Sequence, residues 1–113
     1  MKTTRHCLAL DLKDEQQKID DYIEYHQNVW PEIKNSLKES GIADMEIYLV
    51  QNRLFMIIEV DDSFSFEKKK NLDDNNPVVQ KWESIMREFQ QPLPGSEKGS
   101  WWKQMELVFK YSA

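Results

Sequence analysis

The chain is poor in the residues that cross-link a fold or break it locally: 113 positions hold one cysteine, three glycines and four prolines. A lone Cys7 can close no internal disulfide and offers no zinc spacing, so a reducing, cytoplasmic setting is expected. Cys7 itself reads as a small buried hydrophobe in a strand. Basic charge is also scarce, with 15 Lys and Arg against 20 Asp and Glu and a formal net charge of −5. A nucleic-acid partner would need clustered basic residues that release counterions from phosphates, and the single basic run, Lys68 to Lys70, reads as a solvated helix face. No apolar stretch approaches the roughly 18 residues that span a bilayer. The opening residues, MKTTRHCLAL, are followed by a charge at Asp11 before a signal-peptide core is complete. Glycine-rich phosphate loops, clustered metal ligands and serine or cysteine nucleophile motifs are missing, so neither a cofactor nor a metal is expected.

What is present suffices for one core. With 40% hydrophobic and 12% aromatic residues the sequence predicts a single soluble domain over 1–113. Leu8, Leu10 and Leu12 alternate with Cys7, Ala9 and Asp11, as in a strand, with His6 near its end. From Asp14 the period lengthens. Ile19, Ile23, His26, Trp30, Ile33 and Leu37 mark an amphipathic helix that Pro31 kinks or breaks and Gly41 ends. Residues 44–60 read as a hairpin around Gln51, Asn52 and Arg53, with Met45, Ile47 and Leu49 on one face of its first strand. A short helix over 64–72 follows. A second begins at Asn76 and Pro77 with Val78, Trp82, Ile85, Met86 and Phe89 on one face. Residues 90–100 form a loop. Trp101 and Trp102, read as a lid, a pocket wall or a subunit contact, lead into a last strand over 104–111.

This order predicts a ferredoxin-like α+β fold, an antiparallel sheet with helices on one face. The other face also carries apolar residues, which predicts burial against a second copy in a homodimer.

The stretch YIEYHQNVWPEI, residues 22–33, places Tyr22, His26 and Trp30 four residues apart. Two readings are open at this point: an aromatic core stripe with a hydrogen-bonded histidine, or a proton-transfer site in which aromatic rings hold a sugar. Trp82 is open in the same way, as core packing or as a sugar platform. For Tyr48 the choice is between cross-strand packing and a pocket hydroxyl.

The strings YIEYHQNVWPEI, MEIYLVQNRLFMIIEV, NPVVQKWESIM and MELVFKY resemble the L-rhamnose mutarotase family through nearly the whole chain, the His…Trp-Pro-Glu element being the most distinctive. The resemblance implies a dimeric α/β-barrel type of fold and cofactor-free interconversion of the α and β anomers of a deoxy-hexose monosaccharide. By that resemblance His26 is the catalytic proton donor and Tyr22 contacts the sugar. Trp82 is the first of a tryptophan pair whose second member is here Glu83, and Met45 stands where a substrate-contacting tyrosine is expected. These two departures bear on which sugar is used, L-rhamnose or L-fucose. The alternative from another class is a non-catalytic, dimeric small-ligand-binding module of the same fold.

Overall fold

Leu8, Leu10 and Leu12 alternate with smaller residues because successive side chains of an extended chain point to opposite faces, and all three are buried. They lie on β1 (Thr4–Leu12), an interior strand of the sheet in the computed structural model, which describes residues 2–113. β1 pairs antiparallel with β3 (Arg53–Val60), which pairs in turn with β2 (Ile42–Val50). Along its other edge β1 takes two short strands, β4 (Gln90–Gln91) and β5 (Lys103–Gln104). The register sets Leu8 opposite Met56, Leu10 opposite Leu54, and Ile47 opposite Met56, so one face is apolar across three strands.

Four helices accompany this sheet: α1 (Gln16–Tyr25), α2 (Pro31–Glu39), α3 (Phe66–Asp74) and α4 (Pro77–Arg87). Ile19 and Tyr22 of α1, Ile33 of α2 and Trp82 and Met86 of α4 form one buried cluster with Leu12 and Leu54. At the other end Leu8, Ile42, Ile58 and Val60 form a second, flanked by Phe64 and Phe66. The architecture is the α+β arrangement expected, an antiparallel sheet covered by helices.

The differences in detail have physical causes. The single helix expected from Asp14 is two helices, because Pro31 cannot donate the bond that would continue α1 and forces Trp30 to an extended ψ of 139°. Pro31 instead opens α2. Ile23 is exposed, since α1 turns its Ile19 and Tyr22 side inward. On α4 it is Val79, not Val78, that joins the core, one position around the helix. Arg53 belongs to β3, leaving a two-residue turn in which Gln51 has φ +56°. Cys7 is half-buried rather than buried.

The largest departure is the last strand. Only Lys103–Gln104 pair with β1, extended by one bond from the Met105 amide to the Cys7 carbonyl at 2.7 Å, and residues 105–113 are without secondary structure. A strand exists only where another strand meets its hydrogen-bonding groups, and beyond Met105 none meets these among the described residues.

Gly41 ends α2 with φ +96°, and a Cβ there would lie 2.7 Å from both Asp61 Oδ1 and Ser63 Oγ and 3.0 Å from the Phe64 amide nitrogen. Gly41→Ala should therefore lower stability by roughly 1–3 kcal/mol. A urea midpoint unchanged from the parent would contradict the crowding.

Candidate functional site

α1 ends at its C-cap His26, where the last turn tightens and the amides of His26, Gln27 and Asn28 bond three residues back to the carbonyls of Ile23, Glu24 and Tyr25. The imidazole shares the Tyr22 carbonyl with its own backbone amide: Nδ1 lies 2.8 Å from that oxygen and the His26 amide nitrogen 3.3 Å. A carbonyl only accepts, so Nδ1 carries the hydrogen, and the neutral ring has its lone pair on Nε2. The ring packs against Tyr22 at a centroid distance of 4.2 Å and meets Trp82 nearly edge-on at 5.6 Å. Trp30 and Tyr25 hold Trp82 in turn, at 5.0 and 6.1 Å.

These rings border a cavity of about 570 Å³ between the sheet and the helices, the right size for a small ligand. Tyr22, His26, Met45, Trp82 and Glu83 all line it. The five side chains singled out from the sequence thus come together on one wall system, although they arise from α1, β2 and α4. Trp101 and Trp102 line the same cavity, which makes them a pocket wall, and Arg87 stacks over the Trp101 ring at 5.5 Å. Trp30 supports Trp82 from behind. Tyr48 is no part of the cavity: it is exposed and donates to Glu46 at 2.9 Å.

Burial governs the electrostatics. It lowers the His26 pKa, opposed by the hydrogen bond to the Tyr22 carbonyl, which favours the charged ring. At neutral pH the imidazole is accordingly unprotonated at Nε2, a base that becomes a donor only after taking up a proton. The Tyr22 hydroxyl is pushed far up by burial, against the side-chain hydrogen bond with Gln90, and stays protonated. Burial also raises Glu83, and neighbouring Asp73 adds to the shift.

Sequence reasoning missed Gln90, Lys69 and Asp73, which line the cavity as well. Lys69 and Asp73 stand four apart on α3, the spacing of an ordinary surface pair, and only the packing of α3 beside α4 turns them to the cavity. Among the described residues no group of three or more His, Cys, Asp or Glu is arranged to hold a metal ion, and no helix is long and apolar enough to cross a membrane.

Fold and site together define an antiparallel α+β domain with an aromatic, histidine-bearing cavity between sheet and helices. A profile described as L-rhamnose mutarotase matches residues 5–111, nearly the whole chain, and the protein belongs to that family. It is an isomerase of the sugar mutarotase class. An L-fucose mutarotase of Xanthomonas campestris is 37% identical, the match covering 99% of this chain and 91% of that one. The crystal structure of an L-rhamnose mutarotase from Formosa agariphila superposes with a TM-score of 0.70 at 27% identity, covering 96% of this chain and 99% of its own. A dimeric ferredoxin-like protein from an uncultured marine organism, 15% identical and covering 99% and 95%, shares the fold with a TM-score of 0.56.

The lowered His26 pKa has a consequence for stability. Below the unfolded value of about 6.5 the unfolded chain binds a proton that the folded one still refuses, so stability falls as pH drops through that value, until the folded pKa is reached. A histidine resonance followed by NMR should titrate below pH 6.5 or so, and His26→Gln should lose less stability between about pH 7 and pH 5 than the parent. Equal losses in parent and variant would count against a half-buried, neutral ring.

Proposed function

We propose that the protein catalyses mutarotation of a 6-deoxy-hexose, L-fucose or L-rhamnose, by cofactor-free ring opening and reclosure at His26. The observation that carries this reading is the imidazole fixed through Nδ1 on the Tyr22 carbonyl, with Nε2 left free beside Trp82 on the cavity lining.

Opening the ring needs a base at the anomeric hydroxyl and an acid at the ring oxygen. His26 Nε2 takes the anomeric proton as the C1–O5 bond breaks and C1 becomes a carbonyl, while O5 receives a proton from a donor in the cavity. The C1–C2 bond then rotates. O5 attacks the other face of the carbonyl, O5 gives up its proton, and His26, now protonated and a donor, returns a proton to O1 to form the opposite anomer. The ring thus serves as acceptor on opening and donor on closure. Tyr22, kept protonated by burial, orients the sugar or assists the transfer at O5, and Trp82 supplies an aromatic surface for the C–H side of the pyranose. Because the reaction proceeds unaided in water, a positioned donor and acceptor and a cavity that admits the open chain are enough. Met45 and Glu83, both on the cavity wall, bear on which of the two sugars is preferred.

Saturation-transfer NMR of anomer exchange, run with both sugars, tests the assignment. The parent should accelerate exchange of at least one sugar, and folded His26→Ala should lose roughly 10² to 10⁴ in rate. Parent-like acceleration by that variant would remove His26 from the chemistry. No acceleration of either sugar by the parent would leave a binding module without turnover.

The protein is further proposed to work as a homodimer in the cytoplasm. Leu107, Val108 and Phe109 are 75%, 87% and 78% exposed, and Tyr48 and Val50 add apolar surface to the sheet. Such an extent of exposed apolar chain favours burial against a second copy. Sedimentation should give twice the 13.5 kDa of the chain, and removal of residues 105–113 should shift the protein toward the monomer. A parent that sediments at the single-chain mass would defeat the dimer.

A further inference from the structure

The cavity holds charges that the proton transfer at His26 leaves unused. Asp73 is only 8% exposed, yet it lines the cavity with Lys69, Ser36 and Glu83. Its carboxylate is held at both oxygens: Oδ2 lies 2.6 Å from Lys69 Nζ, and Oδ1 accepts from Ser36 Oγ at 3.4 Å. Its backbone carbonyl accepts from Gln80 Nε2 at 2.8 Å, and the same nitrogen reaches Glu83 Oε2 at 3.4 Å. Ser36 from α2, Lys69 and Asp73 from α3, and Gln80 and Glu83 from α4 are therefore one connected polar group.

Other parts of the wall differ in character. Met45, Ile47 and Met56 come from the sheet, Trp101 and Trp102 from the approach to β5, and Trp82 from α4. A largely buried ion pair gains little over apolar side chains of the same volume as a source of stability. On a cavity wall it does something apolar side chains cannot, offering a fixed acceptor and a fixed donor side by side.

We propose that the Lys69–Asp73 pair, with Glu83, reads the pattern of ring hydroxyls on the sugar and so sets which deoxy-hexose is used. The placement follows α4. Trp82 touches His26, whereas the next residue, Glu83, is linked through Gln80 to Asp73. A sugar whose anomeric centre meets His26 and whose ring runs along α4 presents its other hydroxyls to α3. There Asp73 and Glu83 accept from hydroxyl groups while Lys69 donates to one, the alternation that a vicinal diol satisfies. The apolar sheet side takes the methyl group. L-fucose and L-rhamnose have the same elements and the same methyl group and differ in the configurations at C2 and C4, so discrimination between them must come from such fixed polar partners.

This assignment rests on the mutarotase reading, and the experiment separates the two. Asp73→Asn keeps the shape and removes the charge; Lys69→Met keeps the stem and removes the donor. For each folded variant, KM and kcat of anomer exchange are measured with L-fucose and L-rhamnose, and binding of both sugars is followed by NMR shift perturbation. The sugar preferred by the parent should lose roughly 10- to 100-fold in kcat/KM, the range for a hydrogen bond to a charged group, mainly through KM, and the preference should shrink. If Asp73→Asn fails to fold, Lys69→Met carries the test. Variants that keep the parent's ratio between the sugars and its KM values would overturn the proposal. Should the parent bind sugar without accelerating exchange, the mutarotase reading fails, and the binding ratios alone still decide whether this pair selects.

Discussion

A proline cannot continue a helix, and the site is built on the break that follows. At Pro31 the chain lacks a donor and Trp30 is held extended, so α1 stops at His26 and α2 starts in a new direction. At the end of α1 the Tyr22 carbonyl takes the His26 imidazole as a second donor beside the His26 backbone amide. One backbone constraint thereby fixes the tautomer, aims Nε2 away from the helix end and places Trp30 against Trp82.

The sheet contributes in a different way. Its leucine and isoleucine face forms the floor on which α1, α2 and α4 rest, with Leu12 and Leu54 in the same buried cluster as Tyr22 and Trp82. This packing excludes water from the imidazole and the phenol, and that exclusion lowers the pKa of one and raises the pKa of the other. The groups thus rest in a neutral state at neutral pH, a free base beside a hydroxyl that keeps its proton. The charged residues of α3 and α4 stand in contrast, Lys69 paired with Asp73 and Glu83 with Arg87 before any ligand arrives.

Much of the fold was legible because its signals are local. The alternation in Leu8, Leu10 and Leu12, the hairpin with Met45 and Ile47 facing inward, the Asn76–Pro77 start of α4 and the left-handed stop at Gly41 each depend on neighbours within a few residues. Position errors occurred where a helix face had to be chosen, as at Ile23 and at Val78 against Val79, since a rotation of one residue is decided by the partner surface. The tail was misjudged for a related reason. Met105, Leu107, Phe109 and Tyr111 alternate as a strand should, but alternation supplies side-chain pattern and not the partner that hydrogen-bonding requires.

The sequence by itself determined most of the element types, the leucine face of β1, the break at Pro31 and the helical spacing of Tyr22, His26 and Trp30, because period and backbone restriction are properties of a short segment. The tertiary structure alone decided that Met45 and Glu83 share a cavity with His26 and that Lys69 and Asp73 face the cavity and not the solvent. Those outcomes depend on how α3 and α4 settle against one another and against the sheet, contacts between residues far apart in the chain that no local pattern encodes.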